Sequence, residues 1–183
     1  MSQDIDAGRS ADLVDQFTDD HTVITYDRRG LPRSALTGPA QGVALAQHAD
    51  DVHRLLAELT DEPALMLGCS VGASIGFHLI LRHPGQISML IAHEPVTPRL
   101  LPAGQRAHHE AELREIHRRD GLSATFEVVA QVLGIDPANL DAEAGLVPQP
   151  MTPQRMRNFD FFVERDFTAI LHDIVDVAAL ATA

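Results

Sequence analysis

Gly68-Cys69-Ser70-Val71-Gly72 sets one serine hydroxyl between glycines two positions to either side. The stretch stands between two apolar runs, Ala64-Leu65-Met66-Leu67 and Ala73 to Leu81. A β-type run, a tight turn and a helix-type run predict a serine held at a strained backbone position, its hydroxyl exposed at the carboxyl edge of a sheet. Glycine is needed where the chain crowds itself in such a bend. Ser70 is therefore the candidate nucleophile, and attack on an acyl carbon through a covalent intermediate is the chemistry it suits. The amide of Val71 falls at the amino end of the next helix, where an unpaired N–H and the helix dipole favour a developing oxyanion. Cys69 reads as a small space-filling residue, because strand alternation points it away from Ser70.

A serine needs a base within hydrogen-bond reach, itself oriented by an acid. Of the 10 histidines, His172 is nearest the carboxyl end. Its helix pattern buries Phe167, Leu171 and Ile174 and leaves His172 with Asp173 and Asp176 on the wetter side, which reads as a surface histidine. His93 and Glu94 close the strand expected beside that of Ser70. One of the two could face Ser70 while alternation turns the other away, and a satisfied turn pair ahead of Pro95 explains them equally. His108, His109 and His117 lie on a charged helix without metal-clamp spacing. No H-E-x-x-H motif or Cys/His cluster occurs, so neither metal nor organic cofactor is expected. Gly68, Gly72 and Gly76 at a strand-to-helix turn, with Glu94 ending the next strand, raise dinucleotide binding as a competitor, but the G-x-G-x-x-G order is absent.

The elements that must hold these residues can be read from periodicity. Ala11 to Phe17 reads as a short helix capped by Ser10, and His21 to Asp27 as a β-branched, aromatic strand. Val52, Leu55, Leu56 and Leu59 give Ala44 to Leu59 an apolar helical stripe. The strand and helix around Ser70 follow. His83-Pro84-Gly85 ends that helix before a third strand, Ile87 to Ala92. Strand alternating with helix predicts an α/β fold, a parallel sheet with crossover helices on its faces, over residues 1–97. From Pro98 the pattern is helical only: Ala103 to Asp120, Ser123 to Leu133, Pro153 to Glu164 and Phe167 to Leu180, broken at Gly121, at Asp136-Pro137 and by the loop Gly145 to Pro150. Residues 98–183 thus form an all-helical region beside the core. Its Phe126, Val128, Val129, Val132, Phe159 and Phe162 suit either an apolar substrate pocket or ordinary packing.

At 183 residues the chain can bury one substantial core. The formal net charge of -12 argues against nucleic acid as a partner. All the basic residues are arginine, which excludes a Schiff-base or phosphate-loop lysine. Arg28-Arg29 and Arg118-Arg119 read as solvated pairs. A single cysteine suits a reducing cytoplasm, and with a polar beginning and no membrane-length apolar stretch the expectation is a soluble, intracellular protein that binds no membrane.

With the serine turn placed between strand and helix, the chain resembles the α/β-hydrolase superfamily. Besides Gly68 to Gly72, the resemblance rests on Tyr26-Asp27-Arg28-Arg29-Gly30, on His48-Ala49-Asp50-Asp51 and on His93-Glu94-Pro95. It implies a serine hydrolase with Ser70 as nucleophile, Val71 as an oxyanion amide, and Cys69, Arg29, His93 and Glu94 as candidate site-lining residues. The second half would be the family's cap, roofing a pocket for a small-molecule substrate with an apolar acyl group. Perhydrolase and haloperoxidase-like chemistry, which needs no cofactor, belongs to the same family. The His-Gly turn that supplies the second oxyanion amide, and the acid and histidine that follow strands seven and eight, have no match here. The likeness is to a middle portion, strands four to six with the cap, so a catalytically incomplete domain with a binding role is the alternative. A missing third strand leaves three outcomes: closure of the fourth strand on the fifth, self-association through unpaired edges, or an open sheet.

Overall fold

A computed structural model describes residues 11–31, 34, 43–133 and 152–183. A short helix, α1 (Ala11–Asp15), comes first. Leu45, His48, Ala49, Val52 and Leu56 fall at helical spacing and form the buried stripe of α2 (Leu45–Leu59). That stripe meets α3 (Val71–Arg82), whose buried arc includes Ala73, Ile75 and Leu79. Leu45, Ala49, Val52, Leu56, Ile75 and Leu79 make one core cluster with Ile170, which arrives from the second half of the chain. Each large aliphatic side chain fully buried here contributes roughly 1.5–3 kcal/mol.

Strands β1 (Ala64–Cys69) and β2 (Ile87–His93) pair in parallel, with Leu65 opposite Met89, Leu67 opposite Ile91 and Cys69 opposite His93. α3 is the crossover between them and packs on both. Its close approach depends on Gly76, where a Cβ would stand 2.7 Å from Leu90 Cδ1. The pleat turns Ala64 and Met66 inward to the core and Leu65 and Leu67 to the opposite face. On that opposite face Leu65, Met89 and Ile91 remain more than half exposed.

Two expectations about the sheet need correction. The segment His21 to Asp27 forms no strand, and among the described residues the sheet has two strands. Thr22 to Tyr26 and Ala64 to Leu67 line a common apolar cleft of about 800 Å³ instead of a common ladder. The segment is anchored by side chains at its end, where Tyr26 packs on the core, Arg28 pairs with Asp166 at 2.9 Å and Arg29 grips Asp51 through two bonds of 2.8 and 2.5 Å. Closure of the fourth strand on the fifth is thus not found among the described residues. Arg28-Arg29 is accordingly not a solvated pair, since Arg28 is buried and Arg29 half-buried. Arg118 and Arg119 do face solvent, paired with Glu115 and Asp120.

Beyond β2 the described elements are helical. After a 3₁₀ turn (Pro98–Leu100), α4 (Ala103–Leu133) is broken at Gly121, whose φ of 79° is left-handed. The helix α5 (Pro153–Phe161), with Thr152 as its cap, runs through a π-turn (Phe162–Asp166) into α6 (Phe167–Leu171). The π-turn brings Val163 and Asp166 inside. Phe126 and Phe159 meet edge to face, centroids 4.5 Å apart, and so join α4 to α5.

The expected helix from Phe167 to Leu180 ends early, at Leu171. Asp173 turns inward and its carboxylate holds His78 Nε2 at 2.8 Å, while Asp176 caps a separate α7 (Val177–Leu180) by accepting from the Ala179 N–H. Two aspartates with side-chain partners therefore replace a continuous helical turn, and Ile174 is 61% exposed rather than buried. The Ser10 cap, the Asp136-Pro137 break and the loop Gly145 to Pro150 lie outside the described residues, as does most of Leu31 to Gly42. No described helix is long and apolar enough to cross a membrane.

His48, on the buried stripe of α2, has no partner for either ring nitrogen among the described residues. Burial, with Arg28 nearby, pushes its pKa down to about 4. The folded ring thus stays neutral while an unfolded chain takes up a proton below about pH 6.5. Stability is lost as pH falls from 6.5 toward 4, by about 2 kcal/mol between pH 7 and pH 5. Denaturant titrations at those two pH values should show that loss in the native chain and its absence in His48→Leu. An equal loss in both would refute the assignment.

Candidate active site

Ser70 lies between the last residue of β1 and the first of α3, with φ 53° and ψ −120°. Its N–H donates to the His93 carbonyl at 2.9 Å, carrying the β1–β2 ladder one step further, and its carbonyl accepts from the Ala73 N–H at 3.0 Å. The left-handed backbone is what the sequence predicts for a serine in a sharp bend, but the expected exposure is not found, because Ser70 is buried, 9% exposed, where the first turn of α3 packs over it. Gly68 permits the bend, since a Cβ there would lie 2.7 Å from both the Ala73 nitrogen and the Gly72 carbonyl carbon. Ser74 Oγ donates to the Val96 carbonyl at 2.8 Å and ties the first turn of α3 to the segment after β2. Val71 opens α3, and no carbonyl four residues back within the helix reaches its N–H.

The other candidate residues are placed less simply. Cys69 Sγ and His93 Nδ1 are 3.4 Å apart, as their register across the ladder requires. His93 is exposed. Glu94 has a left-handed φ of 46° and is also exposed. Arg29 is occupied by Asp51. Among the described residues none makes a side-chain hydrogen bond to the Ser70 hydroxyl, and five histidines have side-chain partners of their own. His78 meets Asp173, His83 meets Asp50, His53 meets Gln86, His117 meets Thr125 and His172, on the surface, meets Glu110. Arg82 and His83 together hold the Asp50 carboxyl well below the usual carboxylate range. No group of side chains suited to a metal ion occurs among the described residues. The apolar cleft runs along Leu65, Leu67, Met89 and Ile91 and does not take in Ser70.

Periodicity passed over two buried features near this edge. The Arg28–Asp166 pair joins positions 138 apart in the chain, and no local pattern announces it. His78 could have been found, because it falls within the buried arc of α3.

The β1–α3–β2 unit with its strained serine, followed by helices, is the arrangement of one protein class. The family model for the alpha/beta hydrolase fold matches residues 6–146, and the chain belongs to that family. It is 32% identical over 177 residues to the uncharacterized hydrolase YraK of Bacillus subtilis (strain 168), covering 97% of this chain and 62% of that protein. A putative carbamate hydrolase, RutD of Yersinia enterocolitica, is 41% identical over 70 residues, 38% of this chain and 25% of its own. Among solved structures, Est816, described as an N-acyl homoserine lactone degrading enzyme, superposes with a TM-score of 0.60 at 21% identity, over 97% of this chain and 64% of that one. A structure from work on carboxylesterases of the Thaumarchaeon Nitrososphaera gargenis gives 0.55 at 23% identity, over 98% and 61%. The chain thus spans less than two thirds of the length of these relatives.

Proposed function

We propose that this protein is a serine hydrolase in which Ser70 attacks the carbonyl carbon of an ester or related acyl bond. The Ser70 Oγ–acyl bond forms, the leaving group departs with a proton, and water then releases the acid and restores the hydroxyl. Val71 supplies one oxyanion donor from the start of α3. The observation that carries this reading is the left-handed backbone of Ser70 between β1 and α3, held open by Gly68. The names of the relatives, a carbamate hydrolase, a lactone-degrading enzyme and carboxylesterases, are in keeping with an acyl substrate. Residues 98–183 act as the helical cap and favour an apolar acyl group, and the single cysteine is in keeping with a cytoplasmic setting.

Hydrolysis of p-nitrophenyl acyl esters tests the reading. Turnover that falls at least about 10³-fold in Ser70→Ala is the expected result; turnover that survives the substitution would sink it. A second reading, a hydrolase-like domain that binds without turnover, is favoured by the engagement of His53, His78, His83, His117 and His172 away from Ser70. The unpaired edges of the two-stranded sheet are where self-association would occur, and the concentration dependence of the molecular mass by sedimentation decides it.

A further inference from the structure

Among the described residues two that are not glycine have a left-handed backbone, Ser70 and Glu94. They are neighbours across the sheet. Cys69 pairs with His93, so Ser70 and Glu94 each stand one residue past the end of adjacent parallel strands, joined by the Ser70 N–H to His93 carbonyl bond. Neighbouring strands stand about 5 Å apart, which puts a glutamate side chain at this position within reach of a group bonded to Ser70. The left-handed turns at Gly30, Gly85 and Gly121 all use glycine. Position 94 therefore keeps a side chain where glycine would make the same turn with less strain, and strain of this kind gathers at functional sites. Nor is the carboxylate part of the scaffold. Asp50, Asp51 and Asp166 are in ion pairs with arginine, and Asp173 is hydrogen-bonded to His78. Glu94 is exposed and makes no hydrogen bond or ion pair among the described residues.

We infer that Glu94 determines specificity at the Ser70 site, its carboxylate selecting substrates that carry a cationic group beside the reacting bond. The inference rests on the reading of Ser70 as nucleophile. A carboxylate at this place opposes the negative charge that builds on an attacked carbonyl, so by itself it does not speed attack. It becomes favourable when the substrate brings a compensating positive charge. The predicted preference is cationic over neutral over anionic groups.

Two fluorophosphonates that differ only in a trimethylammonium or a tert-butyl group provide the test, each reacting by forming an Oγ–P bond as the P–F and O–H bonds break, with fluoride and the hydroxyl proton lost to solvent. In the native protein the cationic reagent should label faster. In Glu94→Gln the ratio of the two rates should fall by roughly three- to tenfold and lose its dependence on salt, with Glu94→Asp keeping most of it. Glu94→Gly should lose the ratio as Glu94→Gln does and melt at a higher temperature, since its backbone strain is relieved. A ratio unchanged within about twofold in Glu94→Gln, with Ser70 still labelled, would overturn the role of Glu94 alone. Absence of labelling by either reagent in the native protein would overturn the reading of Ser70, and the role of Glu94 with it.

Discussion

Ser70→Gly is expected to abolish ester turnover and, at the same time, to stabilise the fold. The hydroxyl is the attacking group, so its loss costs at least about 10³-fold in kcat/KM. The stability gain comes from the backbone. A non-glycine residue at φ 53°, ψ −120° stores on the order of 1–3 kcal/mol, which glycine releases. Glycine's added freedom in the unfolded chain takes back about 0.5–1 kcal/mol. A net gain near 1 kcal/mol corresponds to a rise of roughly 2–4 °C in melting temperature for a chain of this size. Ser70→Ala should lose activity without that gain, because alanine is strained as serine is. If Ser70→Gly melts below the native protein, the backbone at this turn is relaxed and the strain argument fails.

Arg28→Ala should produce the largest loss of stability. Arg28 Nη1 donates to Asp166 Oδ2 at 2.9 Å, with the two side chains 10% and 4% exposed, and Asp166 Oδ1 is buried with no partner among the described residues. Burial pushes the Asp166 carboxyl up and Arg28 draws it back. Removing the guanidinium leaves a buried carboxylate uncompensated, at a cost of about 3–5 kcal/mol, against a total of about 5–15 kcal/mol for a typical fold. The deficit should shrink in acid, where Asp166 takes up a proton. Arg28→Met combined with Asp166→Leu should recover most of it, since an apolar pair needs no compensation. Denaturation midpoints of the native protein and the two variants check this, and a single Arg28→Ala within about 1 kcal/mol of native would show that the pair carries little.

What could be read from the sequence divides by range. Helices α2 and α3, strands β1 and β2 and the break at Gly121 follow from periodicity and from glycine's access to left-handed backbone, which are properties of neighbouring residues. The bend at Ser70 is local too, since Gly68 and Gly72 meet within five positions. The segment His21 to Asp27 has the composition of a strand, yet strand structure is a property of a pair, and the nearest sheet edge lies across an apolar cleft. Arg28 reads as solvated until Asp166 is brought to it from 138 positions away. The inward turn of Asp173 to His78 was equally invisible, and it ends a helix that periodicity alone extends to Leu180.

The account as a whole rests on Ser70 being an activated nucleophile. Intact-mass and peptide-mapping spectrometry of the protein after treatment with a fluorophosphonate measures this most directly. One phosphonyl group on the peptide carrying Ser70, and none in Ser70→Ala, is the predicted result; an unmodified native protein, or an adduct on another residue, would contradict it.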